Sequence, residues 1–216
     1  MHTSAAEVIR LFRFRPVRTA FDSILRDDMI PALHEMDGIV DLYVGRQGPD
    51  ELGPRVIATI WTSRDAMAAG VGESFDRPIF RPEYLAETVD RSLEFLPLDI
   101  GLRFERADRP GVVRLFEGQV RPGELDAYVD DARAGTLLDA AAGSGPMALY
   151  LARRTADAFV TLSVWPDWST LQDATGGDVE RPIATRHAHR LVAWHAEHYE
   201  SIPGLTPPRP TPATTS

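Results

Sequence analysis

The chain repeats itself, block by block and in one order. VIRLF at 8–12 returns as VVRLF at 112–116, and GIVDLYVGRQ at 38–47 returns as GPMALYLARR at 145–154, with Gly, Leu, Tyr and Arg in register. Trp61, followed by Thr-Ser-Arg-Asp, matches Trp165, followed by Pro-Asp-Trp-Ser; GESFDRPI at 72–79 matches GGDVERPI at 176–183. Such self-similarity means that one supersecondary unit is used twice, so the fold has to be built from two like halves.

Each half reads the same way. Val8–Arg15 alternates and is rich in β-formers, which predicts a strand. Thr19–Asp37 sets Phe21, Ile24, Leu25, Met29, Leu33 and Met36 along one helical face. Pro31 is expected to kink that helix, because it removes a hydrogen bond and clashes with the preceding turn, and Gly38 to end it. Ile39–Arg46 and Arg55–Trp61 read as strands joined by the turn-rich QGPDELGP. Ser63 suits the N-cap of a short helix to Ala69. Pro82–Val89 reads as helical and Ser92–Leu98 as a closing strand. The second half follows with strands at Val112–Val120, Leu149–Arg154 and Ala158–Val164, and a helix over about Glu124–Ala142. The order per half is β-α-β-β-α-(α)-β. The expected divisions are a first repeat at 1–98, a linker at 99–111, a second repeat at 112–202 and a flexible tail at 203–216, whose Pro/Thr-rich composition cannot build a core.

One stretch imitates something else. LLDAAAGSGPMALYLARR at 137–154 has the acidic residue and alternating glycines of a loop that cradles S-adenosylmethionine. Such a loop needs a strand before its glycines, so that backbone amides face the ligand from a βα turn. The repeat aligns this stretch with Leu33–Gly38, which puts a helix before it and a strand after it. A nucleotide-type cradle is therefore excluded.

Composition narrows the chemistry. The net charge of −9 argues against nucleic acid and anionic membranes as partners. Cysteine is absent, which removes thiolate chemistry; lysine and asparagine are absent too, which removes Schiff bases and a phosphate-loop lysine. No apolar run is long enough to span a bilayer, and MHTSAAEVIRLF lacks the layout of a signal peptide, so a cytoplasmic protein is expected.

The β-α-β-β-α-(α)-β halves, with the Trp-Thr-Ser-Arg-Asp-Ala-Met block after the third strand, resemble antibiotic-biosynthesis-monooxygenase (ABM)-like domains of the dimeric α/β-barrel superfamily. The resemblance covers about 8–98 and 112–202. It implies an α+β chain: two tandem ferredoxin-like repeats packed as an intramolecular α/β barrel. Apolar residues on both faces of RVIATIW and FVTLSVW agree with sheets covered on both sides. The group includes cofactor-independent oxygenases of polycyclic phenols and quinols, haem-binding and haem-degrading members, and members without known chemistry. The resemblance therefore implies a planar aromatic small-molecule ligand, with haem or no cofactor, in a pocket between sheet and helices. It leaves open a monomeric pseudo-dimer or a homodimer. The Asn and helix Trp common in the oxygenases are missing: Asn is absent, and Gly70 and Ala174 stand at the Trp positions.

The second half carries most of the chemistry-bearing residues: His187, His189, His195 and His198, with Trp165, Trp168 and Trp194. RHAHR at 186–190 lies near where haem-binding relatives carry a helical His, so His187 is the candidate haem ligand. A histidine here, His187 or His189, is also the candidate proton acceptor of an oxygenase, since imidazole titrates near neutral pH. Arg181 and Arg114 are candidates for stabilising a substrate anion, and Arg77 for gripping an acidic group. Trp165, Trp61, Tyr150 and Phe116 are the candidate aromatic lining. Each has a structural alternative: core packing for the tryptophans, ion pairs for the arginines, solvent for the histidines. A strand through 191–199 puts His195 and His198 on opposite faces, which argues against a His-only metal site.

Overall fold

The structure, a computed structural model, describes residues 2–3, 6–72, 79–104, 109–142, 144–183, 188–202 and 204–205. The first half contains β1 (His2–Thr3), β2 (Val8–Pro16), β3 (Ile39–Arg46), β4 (Arg55–Trp61) and β5 (Thr88–Arg103). The second contains β6 (Val112–Val120), β7 (Ala148–Arg153), β8 (Ala158–Trp165) and β9 (Leu191–Ser201). In the first half the strands lie in the order β5-β2-β4-β3, in the second β9-β6-β8-β7, all antiparallel. Val8 pairs with Trp61, and Val112 pairs with Trp165, so the two sheets share one register. β3 meets β9 and β5 meets β7, which closes eight strands into a barrel.

The two seams differ. β5 pairs with β7 from Leu98↔Ala152 to Arg103↔Ala148. β3 and β9 share only Gly45↔Ser201 and Arg46↔Glu200. Gly45 has a steric reason: a Cβ there would lie 2.6 Å from that of Tyr199, so a side chain would push this seam apart. The longer seam also lengthens the closing strand. Residues 99–103, expected to open the linker, are strand, because closing the barrel gives their backbone groups partners on β7.

The helices show a second difference. Thr19–Asp37 was expected to kink at Pro31; instead α1 (Phe21–Ile24) runs into a π turn at Leu25–Met29 and then α2 (Ile30–His34), with Pro31 in the first turn of α2. Widening the turn just before the ring accommodates the missing N–H and relieves the clash with the preceding carbonyl. The Ser63 cap is as expected: its Oγ accepts the Ala66 N–H at 3.0 Å, opening α3 (Arg64–Val71). α4 (Pro82–Leu85) is shorter than expected, because Thr88 already pairs with Pro16. α5 (Leu125–Ala141) and α6 (Trp168–Thr175) complete the set. The glycine-rich decoy is the end of α5 and the turn into β7, as its place in the repeat required.

Alternation along the strands separates two kinds of core. Ile9, Leu11, Val113, Leu115, Tyr43 and Tyr150 point into the barrel. Phe12 and Phe116 point outward under the helices, into one core per half. Leu205, in the stretch expected to be flexible, is fully buried in the first of these outer cores. Among the described residues no helix is long and apolar enough to cross a membrane.

Candidate functional site

Polar side chains gather in the barrel interior and on the outer, helix-covered face of the second sheet. Inside, Arg13 donates to Glu197, Glu94 and Glu117 at 2.9, 3.0 and 2.8 Å. Arg154 also donates to Glu94 and Glu117, and Tyr199 to Glu197. Elsewhere in the interior, Tyr150 donates to Asp41, which also pairs with Arg103. These groups satisfy one another, so their arrangement is that of a plug. Tyr150, expected to line a ligand pocket, belongs here and is fully buried in the barrel.

The outer face of the second sheet is different. Rows of side chains cross it on β8, β6 and β9: Ser163–Arg114–His198, then Thr161–Phe116–Ala196, then Phe159–Gly118–Trp194. Gly118 is small because a Cβ there would fall 2.3 Å from the Phe159 ring, which lies across it. Tyr128 of α5 packs on Phe159 with ring centroids 4.5 Å apart.

Arg114 is buried in this face. Its Nε donates to His198 Nε2 at 3.3 Å, and Nη2 donates to the Val179 and Arg181 carbonyls at 3.2 and 2.6 Å. Nη1 hydrogen-bonds to none of the described residues. Its guanidinium carbon stands 4.8 Å from the centre of the Phe116 ring. Burial lowers its pKa to about 10, so it remains a cation at neutral pH, in a place where a cation is poorly hydrated. The Tyr128 phenol is pushed up by burial, against the pull of Arg114, and stays neutral.

His198 faces Arg114 on one side and the Trp168 ring, 5.6 Å away, on another. Its Nδ1 lies 3.5 Å from Glu180 and its Nε2 3.0 Å from the Val179 carbonyl. Burial, and then the charge of Arg114, lower its pKa, with Glu180 and the Val179 carbonyl opposing and His195 adding slightly. A cationic group whose pKa falls on folding binds fewer protons folded than unfolded, so stability drops as pH falls below the ordinary value of 6.5. The midpoint of thermal unfolding is expected to decline on acidification from pH 6.5, and His198→Phe to flatten that part of the profile. An identical slope in both proteins would remove His198 as its source.

The first half is its own control. There Phe95 pairs with Arg10 where His198 pairs with Arg114, and Arg64 of α3 stacks on Phe95 at 5.7 Å where Trp168 of α6 stacks on His198. Its face is filled by aromatic rings: Phe12, Phe14, Phe21 and Phe80 contact one another with centroids 4.9 to 6.1 Å apart. The second half has the imidazole, the tyrosine and the smaller Thr161 and Ala196. From the sequence His198 is weighed only as a metal ligand and Tyr128 is not named; the change from Phe95 to His198 between the repeats is the signal that could have found the first.

The other expected site residues fall as follows. Phe116 lies on this face beside Arg114. Arg181 contributes its carbonyl, not its charge: its side chain is 71% exposed and pairs with Asp178, so it reaches solvent rather than the face. Trp61 and Trp165 are fully buried, with indole N–H groups donating to Thr59 and Ser163 at 2.9 Å; they are core rather than aromatic lining, because a ring enclosed on every side offers no surface to a ligand. His189 is exposed, in the 3-10 turn Ala188–Arg190. His187 and Arg77 lie outside the described residues. The one described histidine on the covered face, His198, has its Nε2 turned into protein, within hydrogen-bond distance of Arg114 or, in the other tautomer, of the Val179 carbonyl, so it does not fit haem ligation. Among the described residues no group of His, Asp and Glu is placed to hold a metal ion.

No protein-family model and no curated protein matches the sequence. Solved structures match it over nearly its whole length. A candidate monooxygenase from Lactobacillus acidophilus NCFM superposes with a TM-score of 0.66 at 9% identity, over 91% of this chain and 93% of that one. An anthrone oxidase-like protein gives 0.59 at 16%, over 92% and 93%. LmHde, a heme-degrading enzyme from Listeria monocytogenes, gives 0.50 at 12%, over 88% and 98%. The chain has their fold. This is the tandem ferredoxin-like barrel that the ABM-like resemblance implied. At these identities the likeness shows the barrel alone.

Proposed function

We propose that the chain is an ABM-like monooxygenase of a planar aromatic substrate, working without a nucleotide cofactor, with its site on the outer face of the second half. The observation that carries this reading is Arg114: a buried cation beside Phe116 whose Nη1 has no partner among the described residues. The Nε and Nη2 donors are committed to protein groups, so what remains is one nitrogen with two N–H bonds. That suits a phenolate or enolate oxygen in a setting where water is scarce. Stabilising the anion of an anthrone-type substrate makes it electron-rich enough to react with oxygen directly. The balance closes without a cofactor: the methylene carbon loses two hydrogens and gains one oxygen atom, and the other oxygen atom leaves as water. Both electron pairs that reduce O2 come from the substrate. His198 is not the proton acceptor in this reading, because its Nε2 is turned to Arg114 and Val179.

Two measurements test it. Oxygen uptake with anthrone is expected from the wild type, with anthraquinone as product. Titration with coloured 2,4-dinitro-1-naphtholate reports binding alone. Arg114→Gln is expected to weaken the naphtholate at least tenfold, as for loss of a charge-assisted hydrogen bond of roughly 1.5–3 kcal/mol. Equal binding by both proteins would overturn the site, and binding without oxygen uptake would leave a binding module in place of an oxygenase.

A further inference from the structure

The two halves differ in what their outer faces admit. Phe12 and Phe116 hold the same place, each in the middle of a three-residue row across its sheet. In the first half the row is Ile57–Phe12–Leu93, in the second Thr161–Phe116–Ala196. The flanking residues have shrunk on both sides of an unchanged ring. Above the first row sits Phe80, nearly perpendicular to Phe12 at 4.9 Å and 83°, and to Phe14 at 5.3 Å and 80°. That is the edge-to-face geometry aromatic rings prefer. In the repeat alignment GESFDRPIF ends on Phe80 and GGDVERPIA on Ala184, so the sequence of the second half has no ring at that position. The loss of Phe14, by contrast, is made good, since Phe159 crosses over Gly118.

We infer that the first half is a self-occupied copy of the site: the Phe80 ring sits where a ring of the ligand sits in the second half, and Ala196 and Thr161 set the size of that ring. This rests on the reading that the outer face of the second half binds an aromatic ligand. It adds the pose, with the ligand ring edge-on to Phe116, and it names the size-determining residues. The rows also supply their own replacements, since Leu and Ile already pack at these positions beside Phe12 on the same scaffold.

The test uses the full chain and 2,4-dinitro-1-naphtholate followed by absorbance. Ala196→Leu with Thr161→Ile is expected to weaken binding at least tenfold while leaving the thermal midpoint unchanged or raised. Phe80→Ala is expected to add a second site for the single-ring 4-nitrophenolate, taking its stoichiometry from one to two, since Ile57 and Leu93 leave there only the room of the ring removed. If Phe80→Ala does not fold, Phe80→Val takes its place. Wild-type affinity in the double variant, with the stoichiometry still at one in the Phe80 variant, overturns the inference while leaving the second-half site standing. A wild type that binds nothing overturns the site itself. In that case a single equivalent bound by Phe80→Ala alone still supports Phe80 as an internal occupant, and none bound overturns that too.

Discussion

Replacing Arg13 with methionine is expected to destabilise the chain by about 3–5 kcal/mol, the range for breaking a buried ion pair from one side. Arg13 has a side chain only 13% exposed and holds three carboxylates from three strands, β5, β6 and β9. Burial works against its charge, but Glu197, Tyr199, Glu117 and Glu94 outweigh it and raise its pKa. Methionine fills a similar space and removes the donors, leaving Glu94 and Glu117 with Arg154 and Glu197 with Tyr199. The loss should shrink in acid. Glu117 is held below its ordinary 4.5, first by its hydrogen bond to Arg154 and then by both arginines against its burial. A depressed carboxylate gives stability above its unfolded pKa and loses it as pH falls through the folded one. Once protonated, Glu117 no longer needs Arg13. Urea unfolding of both proteins at neutral pH and below pH 4.5 checks this; a neutral-pH difference under about 1 kcal/mol would class the network with exposed surface pairs.

Trp165→Ala is expected to destabilise by roughly 3–5 kcal/mol, as for deletion of a large buried ring, with Trp165→Phe costing less. The indole is fully buried between Val112 and Leu171, where α6 meets the sheet, and its N–H is satisfied by Ser163. The outcome separates two roles that the sequence left side by side. A core residue lowers the unfolding midpoint and leaves naphtholate affinity of the folded fraction nearly unchanged. A ligand wall does the opposite, and weakened binding in a normally stable Trp165→Phe protein would restore that role.

The fold was legible because pairing register follows sequence blocks. Once Trp61 and Trp165 were matched, the strand before each and the helix after each had to correspond. The barrel seams were not legible, since nothing in residues 99–103 announces a partner on β7. For the same reason the interior charges went unseen. Arg13 and Glu117 stand near strand ends, where charge ordinarily means solvent, and only closure of the barrel puts them inside. Arg114 and Phe116 were legible from alternation. His198 was not singled out, because its importance lies in facing Arg114 across a strand pair that depends on the exact register of β9.

Arg13 and Glu117 occupy equivalent positions of the two repeats, and they touch. In a dimer of identical subunits, a residue that meets its own counterpart across the symmetry axis always meets its own kind: arginine would face arginine, and glutamate would face glutamate. Joining the halves in one chain lifts that restriction, and this chain has used the freedom to put opposite charges there. It also makes the arrangement hard to reverse. Neither half can any longer pair with itself without placing like charges together, so the two are now obligate complements.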